Sequence, residues 1–516
     1  MLRIENKQLS FFSVLYDKIP EGHLLKRIEK AVDFTFINEL LSNSYCKDYG
    51  RPAKEPEMMM KLLFLQYIYN FSDVKVIEEA TYNMAYLWFL GLNPEDKLPD
   101  ASLLAKFRTQ RLKECTLDEI ITEIVRQCVK KGVIKSGSVS IDTTHIEANT
   151  IKKVPERVMK HLAKKIFKSL ESDNGTVPES VDRNIPDYTQ IEDHNEAKQV
   201  MKEYLNTVME KAAPFAGKEA SSAIEEAKTV LNDERFILQK GLRSLTDKDA
   251  RVGNKSKTSQ FFGYKDEYIM TTDERIITAV SVHSGEYVDG KEFSKLYEKT
   301  RESGLTPTEI YGDKAYFRKD ILDKIKESKA EAYIPVSACA YKIDEDSFGY
   351  NKDSDQWFCS MGNHTIKKER KEQNRSGKKY EFYVYTFDAT GCAMCPHRAE
   401  CFGGSKGRAR KLCISLNAGE FYEISQQQKT PEFLEKYKKR AAHEWKNGEM
   451  KRFHGLARAK GYGLKSISRQ AKLTAIAVNL KRIAAIFCAL GKEKVCFWCY
   501  LFLVYQKWHK LECRVY

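Results

Sequence analysis

Hydrophobic periodicity changes at Gly137. Before it, apolar residues recur at helical spacing; after it, SVSID alternates with period two and ends on Asp142. FFGYKDEYIMTT and RIITAVSV follow further on, joined by a short polar turn at Asp273-Glu274, which predicts a hairpin. A helix over 291–301 comes next, then a strand ending at Tyr311-Gly312-Asp313, a helix over 319–328 and a strand over 333–336. Three strands, then helix, strand, helix, strand imply an α/β fold with a mixed sheet.

Two stretches interrupt this order. Residues 151–240 are helical and highly charged, with Val158, Leu162, Ile166 and Leu170 in one stripe and Val200, Tyr204, Leu205 and Val208 in another. Residues 337–430 are polar and basic, and a further helix starts near Pro431. The expected organisation is a helical region over 1–120 and a core over 137–336 plus 431–490. That core is split by a helical insertion at 151–240 and a second insertion at 337–430. An apolar tail of unassigned role covers 491–516.

The N-terminal region reads as helices throughout. Residues 58–69 (MMMKLLFLQYIY) suit a buried helix, and Ser72 suits an N-cap. After a break at 91–94, Pro99-Asp100 opens ASLLAKFRTQRL, with Lys106, Arg108 and Arg111 on its polar side. Helix, break and basic helix are compatible with a helix-turn-helix DNA reader, and equally with an ordinary bundle.

Composition narrows the class. Hydrophobic residues make up 42% and charged residues 31% of 516, which excludes wholesale disorder. The N-terminal MLRIENKQLSFF lacks the apolar centre of a signal peptide, and thirteen cysteines are an odd number, so a reducing cytoplasmic setting is expected. The longest apolar run, 495–505, has eleven residues, short of the about 20 that a membrane span requires.

The net charge of +14 is concentrated. Residues 436–469 hold eleven Lys or Arg against two acids, and 361–412 hold twelve against five, so the remainder is close to neutral. Such concentration points to a polyanion, with nucleic acid the default partner.

Asp142 and Asp313 are both read at strand ends, where side chains project into the crevice of an α/β sheet. A third carboxylate comes from KYKKRAAHEWKNGEMKRFHG. At 100° per residue, Tyr437, Arg440, Glu444 and Lys451 fall within an arc of about 60°. Three carboxylates beside basic groups suit two Mg²⁺ or Mn²⁺ ions and phosphoryl transfer on DNA. Arg440 and Lys451 would hold phosphates.

The spacing Tyr437-x2-Arg440-x3-Glu444-x6-Lys451 resembles the Y-R-E-K signature of the DDE insertion-sequence transposases. SIDTTHIEANT around Asp142, FFGYK (261–265), YGDKAY around Asp313, KNGEMKRFHGL (446–456) and LTAIAVNLKRI (473–483) are similar to the same group. LWFLGLNPEDKLPDASLLAKFR looks like its InsH-type N-terminal domain. The resemblance runs from about residue 10 to 485. It implies an RNase H-like core with Asp142, Asp313 and Glu444 as the metal-binding triad. Tyr437, Arg440 and Lys451 carry over as contacts to transposon ends; Lys446, Arg452, Lys106, Arg108 and Arg111 are further basic residues expected on DNA. Terminal inverted repeats and target DNA are the implied partners, with a homodimer in the DNA complex. One departure is HEWK, where relatives commonly carry an Ile-Glu-Pro-Lys-type run. A metal-dependent nuclease without strand transfer and a catalytically silent DNA-binding regulator are the alternatives.

The second insertion has its own chemistry. Cys392-x2-Cys395-x5-Cys401, with Cys359 upstream, has the donor set of a structural zinc site. Cys413 or His397 are alternatives to Cys359. Cys496-x2-Cys499 lies in an apolar run and reads as core, and His145 stands three residues from Asp142.

Overall fold

The alternation that begins at Gly137 yields β1 (Ser138–Glu147), which runs five residues past Asp142 instead of ending there. The computed structural model describes residues 10–46, 52–113, 115–256, 258–375, 377–403 and 407–512; the side chains of 375, 378 and 490 onward lie outside that description. β1 extends because Thr143 to Glu147 pair antiparallel with Glu267 to Gly263, a partner more than a hundred residues away in sequence. Asp142 is therefore a mid-strand residue.

β2 (Arg251–Asn254) and β3 (Gln260–Thr271) follow the first insertion, and β4 (Ile277–Ser284) completes the hairpin with β3. β5 (Glu309–Tyr311) and β6 (Glu331–Tyr333) run parallel to β1. The sheet order is β2-β3-β1-β5-β6, with β4 also paired to β3. Gly263 in FFGYK sits where β3 crosses close to β1: a Cβ there would meet the Ile146 carbonyl oxygen at 2.1 Å. The helices between the strands are Phe293–Glu302 and Lys319–Glu327, as the pattern implies.

The helical N-terminal region shares one hydrophobic core with this sheet. Pro56–Ile68 is buried on nearly all sides, and Ser72 caps the next helix by accepting the Lys75 N–H at 3.1 Å. The Leu464–Glu512 helix joins the two regions. Its Ile467, Leu473, Ile476, Leu480 and Ile483 are fully buried, against the helices Leu24–Ala31, Pro56–Ile68 and Thr116–Lys130 and against β4. Asn479 receives the Ile277 N–H at 2.8 Å and donates to the Ile277 carbonyl at 2.7 Å, pinning the start of β4. The 491–516 tail continues this helix as far as Glu512, and the rest of it lies outside the described residues. The side chains of the Cys496/Cys499 run lie outside them too. Among the described residues, no helix is long and apolar enough to cross a membrane.

The first insertion has a separate core built on Val158, Leu162, Ile166 and Leu170, all buried. Its second stripe is rotated from the expected one. Ala197, Met201, Leu205 and Val208 point inward, while Val200 and Tyr204 are half-buried. Its two ends meet: Lys153 N–H donates to the Arg243 carbonyl at 2.9 Å, and Arg243 Nε donates back to the Lys153 carbonyl at 2.7 Å.

In the second insertion the aromatic run QWFC reads as a strand and is one, and further strands and the helix Ala418–Gln428 accompany it. β7 (Phe348–Asn351) and β8 (Gln356–Cys359) form a hairpin, and β9 (Thr365–Arg375), β10 (Lys378–Phe387) and β11 (Lys411–Ser415) form a three-stranded sheet. Fully buried Trp357, with Phe348, Tyr385 and Phe387, makes its small core.

Candidate functional site

Parallel pairing of β1 with β5 stops at Ser140 and Tyr311. Beyond that point β5 ends while β1 continues along β3. Asp142 stands two residues past the last pair on one side, and Asp313 two residues past the end of β5 on the other. This is the crevice at the carboxyl ends of parallel strands where open sheets hold their ligands. Asp313 caps the short turn Lys314–Tyr316, accepting the Ala315 N–H at 2.8 Å.

The third carboxylate is brought over by Tyr268, the residue opposite Asp142 on β3. The His443 ring lies 4.8 Å from the Tyr268 ring, tilted by 48°, and the Tyr268 hydroxyl donates to Asn447 Oδ1 at 2.8 Å. These two residues flank Glu444 on the helix Ala442–Phe453, so their docking sets Glu444 near Asp142. The expected single helix is broken: Pro431–Tyr437 is followed by a 3₁₀ turn over Lys438–Ala441 before Ala442–Phe453 begins. Tighter winding in that turn shifts Tyr437 relative to Glu444, so the computed 60° arc does not describe the geometry.

Arg440 is the cation of the site. Its Nη2 lies 3.6 Å from Asp142 Oδ1, and it feels Tyr437, Asp313 and Glu444 as well. Burial pushes the Asp142 carboxyl upward; Arg440 opposes this, and Asp289 and Glu444 add to it. Asp313 is raised in the same way, first by burial, with Asp142 and Asp289 adding. Burial also raises the Tyr437 hydroxyl. The donors are hard oxygens crowded with like charge, which is the environment that divalent cations relieve. Among the described residues, no three His, Cys, Asp or Glu side chains are drawn together closely enough to hold one ion.

Asp289, which sequence reasoning missed, is the fourth carboxylate coupled to this cluster. It is paired with Lys265 at 2.8 Å, the lysine of the FFGYK motif. The only local signal was an Asp-Gly pair after β4. Glu267 was also missed, being the last of three consecutive charged residues within a strand.

Lys451 faces the site from the far end of its helix, 3.3 Å from His145 Nδ1. Burial, with Lys255 nearby, lowers its ammonium to about 8. His145 is likewise lowered to about 4 by burial and by Lys451 and Lys255.

The other basic residues separate into two groups. Lys106 and Arg452 are exposed. Lys446 has a side chain only 3% exposed and is paired with Glu449 at 2.8 Å, so it is not presented to a ligand as the sequence implied. Arg108 is bound by both its terminal nitrogens to Asp73 and to Gln66, and Arg111 reaches the Ser44 carbonyl while lying 4.4 Å over the Tyr45 ring. Both hold helices together, which a sequence pattern cannot distinguish from a DNA-facing stripe. Trp445, by contrast, is 73% exposed beside Glu444.

In the second insertion, Cys359, Cys392, Cys395 and Cys401 all line one cavity of about 190 Å³. All four are free thiols. Cys413 lines a different cavity, and His397 is paired with Glu400 at 3.0 Å, so Cys359 is the fourth residue that shares the space.

Comparison with known families gives two matches. Residues 13–110 match a transposase domain (DUF772), and residues 358–484 match a transposase DDE domain. The second match covers Tyr437, Arg440, Glu444, Lys451 and the four cysteines; Asp142 and Asp313 lie outside both. No solved structure matches the chain.

Proposed function

We propose, from the premise that this chain belongs to the DDE insertion-sequence transposases, that it cuts DNA at the inverted-repeat ends of its element and joins those ends to target DNA. The observation that carries the reading is Arg440 set among Asp142, Asp313 and Glu444 where the pairing of β1 with β5 stops. The strand order supports an RNase H-like core: three antiparallel strands at one side and two parallel strands at the other.

Asp142, Asp313 and Glu444 are the residues that would hold two Mg²⁺ or Mn²⁺ ions. When bound, such ions supply Lewis acidity at the attacking and leaving oxygens of an in-line displacement. Arg440 offsets the charge of the crowded carboxylates and would meet a phosphate. Lys451 and exposed Arg452 extend the same cationic surface along the helix, and Tyr437 is the adjoining end contact. Lys106 is the basic residue of the N-terminal helix that stays available to DNA. Paired ends imply a dimer in the DNA complex, and the setting is cytoplasmic, on chromosomal DNA. Cys359, Cys392, Cys395 and Cys401 would hold a structural zinc ion, which suits an insertion with a small core.

The test is cleavage of DNA carrying the element's own ends, with Mg²⁺ or Mn²⁺, by the native chain and by Glu444→Gln. Cutting at the end boundary that is lost in the variant, with end binding retained, supports the reading. Cutting without joining would indicate a nuclease, and binding without cutting a silent regulator. Equal cutting by the variant would remove Glu444 from the site.

A further inference from the structure

Glu267 lies opposite Thr143 in the β1–β3 pairing and is fully buried. Its Oε1 accepts the Gly290 N–H at 2.7 Å and the Tyr316 hydroxyl at 2.9 Å, and its Oε2 accepts the Tyr287 hydroxyl at 2.8 Å. Tyr287 Oη in turn accepts the Glu292 N–H at 2.8 Å. The Tyr316 hydroxyl also lies 2.9 Å from Thr143 Oγ1.

These partners are not scattered through the core. Thr143 adjoins Asp142, Tyr316 closes the turn that Asp313 caps, and Tyr287 and Gly290 bracket the loop carrying Asp289. Lys265, two residues before Glu267 on the same face of β3, also holds that loop, donating to the Tyr287 carbonyl at 2.9 Å and to Asp289 at 2.8 Å. Burying a carboxylate is costly unless its oxygens are satisfied. Here both are, by donors from the loop that carries Asp289 and the turn that Asp313 caps, and the strand of Asp142 joins through Thr143 and Tyr316.

We propose that Glu267 is a positioning residue that fixes Asp142, Asp313 and Asp289 relative to one another. The inference rests on the catalytic reading above. Glu267 works through its hydrogen bonds, not through its charge. A glutamine keeps two of them and reverses the third: the amide oxygen accepts from Gly290 and Tyr316, while its NH₂ donates to Tyr287 Oη, whose hydroxyl hydrogen turns to another acceptor. An alanine cannot.

The experiment uses the full chain as Glu267→Ala, Glu267→Gln and Tyr316→Phe. Mn²⁺ binding is followed by the EPR signal of the free ion, alongside end binding and end cleavage across a Mn²⁺ titration. Loss of an outer partner of a metal-holding group weakens metal binding about 10- to 100-fold, and that is the loss expected for Glu267→Ala, with end binding retained. Glu267→Gln is expected to restore Mn²⁺ binding to within about threefold of native, and Tyr316→Phe to fall between. If glutamine is as damaging as alanine in a folded protein, the charge itself is used and the proposal is overturned. Unchanged Mn²⁺ binding in Glu267→Ala would overturn it as well. Should Glu267→Ala not fold, the glutamine and Tyr316→Phe variants carry the test. Native-like cutting by Asp142→Asn would instead sink the catalytic reading beneath it.

Discussion

Lys451 Nζ and His145 Nδ1 stand 3.3 Å apart, two basic groups in contact near a cluster of carboxylates. The pair holds together because His145, lowered to about 4, is neutral near pH 7 and accepts from the lysine. Lys451 is itself lowered to about 8 by burial and by Lys255. Its positive charge is present below that pH and is lost above it. End binding of the native chain is therefore expected to weaken as pH rises through about 8, and Lys451→Arg is expected to abolish that dependence. Lys451→Ala should lower the slope of log affinity against log salt by about 1. Fluorescence anisotropy with labelled ends across pH and salt checks both; an unchanged slope would mean that Lys451 meets no phosphate.

His443 supplies a stability prediction. It is fully buried, and burial lowers it to about 3. Below its ordinary value of 6.5 the unfolded chain takes up a proton that the folded chain refuses. Stability is therefore lost as pH falls from about 6.5 toward about 3, with a slope approaching 1.4 kcal/mol per pH unit for this one group. Replacing His443 with Phe should reduce the slope of the urea-unfolding free energy between pH 7 and 5 by up to about 1.4 kcal/mol per pH unit, leaving the part that His145 contributes. A slope equal to the native one would show that His443 is not the group responsible.

Arg108 is expected to matter for folding more than for DNA. Its paired contacts with Asp73 and Gln66 are partly buried, so Arg108→Ala should cost about 1–3 kcal/mol. End binding by the folded fraction should stay near native. Denaturation and binding curves on the same preparation separate the two effects, and the reverse outcome would return Arg108 to the DNA-facing set.

The cysteine cavity makes a compositional claim. The native chain is expected to carry one zinc per chain by elemental analysis, and Cys395→Ser to lose it together with order in β7 to β11. Zinc retained in Cys395→Ser, or absent from the native chain, would remove Cys395 or the whole site from the zinc reading.

Shared packing predicts how the molecule melts. Leu480→Ala should cost about 2–5 kcal/mol, and it should loosen the N-terminal helices and the sheet together, since both lie on one core. The helical insertion has its own core, so calorimetry should give it a separate transition that this substitution leaves in place. A single transition shifted as a whole would show that the cores are coupled.

Local signals were legible in the sequence. Ser72, the β3–β4 hairpin and the Val158 stripe each depend on residues within a few positions, and each is found where the pattern puts it. What escaped depends on distant partners. Nothing in SVSID tells that Thr143 to Glu147 will pair with Gly263 to Glu267, so Asp142 reads as a strand end. The 3₁₀ turn at Lys438–Ala441 likewise escapes a fixed angle per residue. Asp289 and Glu267 look like ordinary surface charges until the fold sets them beside Asp142 and Tyr316. Arg108 and Lys446 err the other way, as cations whose partners lie elsewhere in the chain or one turn along the helix.

The reciprocal bonds between Lys153 and Arg243 bear on how such a chain can diverge. They close the neck of the first insertion, so the sheet meets a clasped pair of residues where the sequence has about ninety intervening positions. Loop-closure entropy grows only slowly with length. The cassette beyond the clasp is therefore free to lengthen, shorten or be exchanged during descent while the register of β1 against β3, and with it the setting of Asp142, is inherited intact.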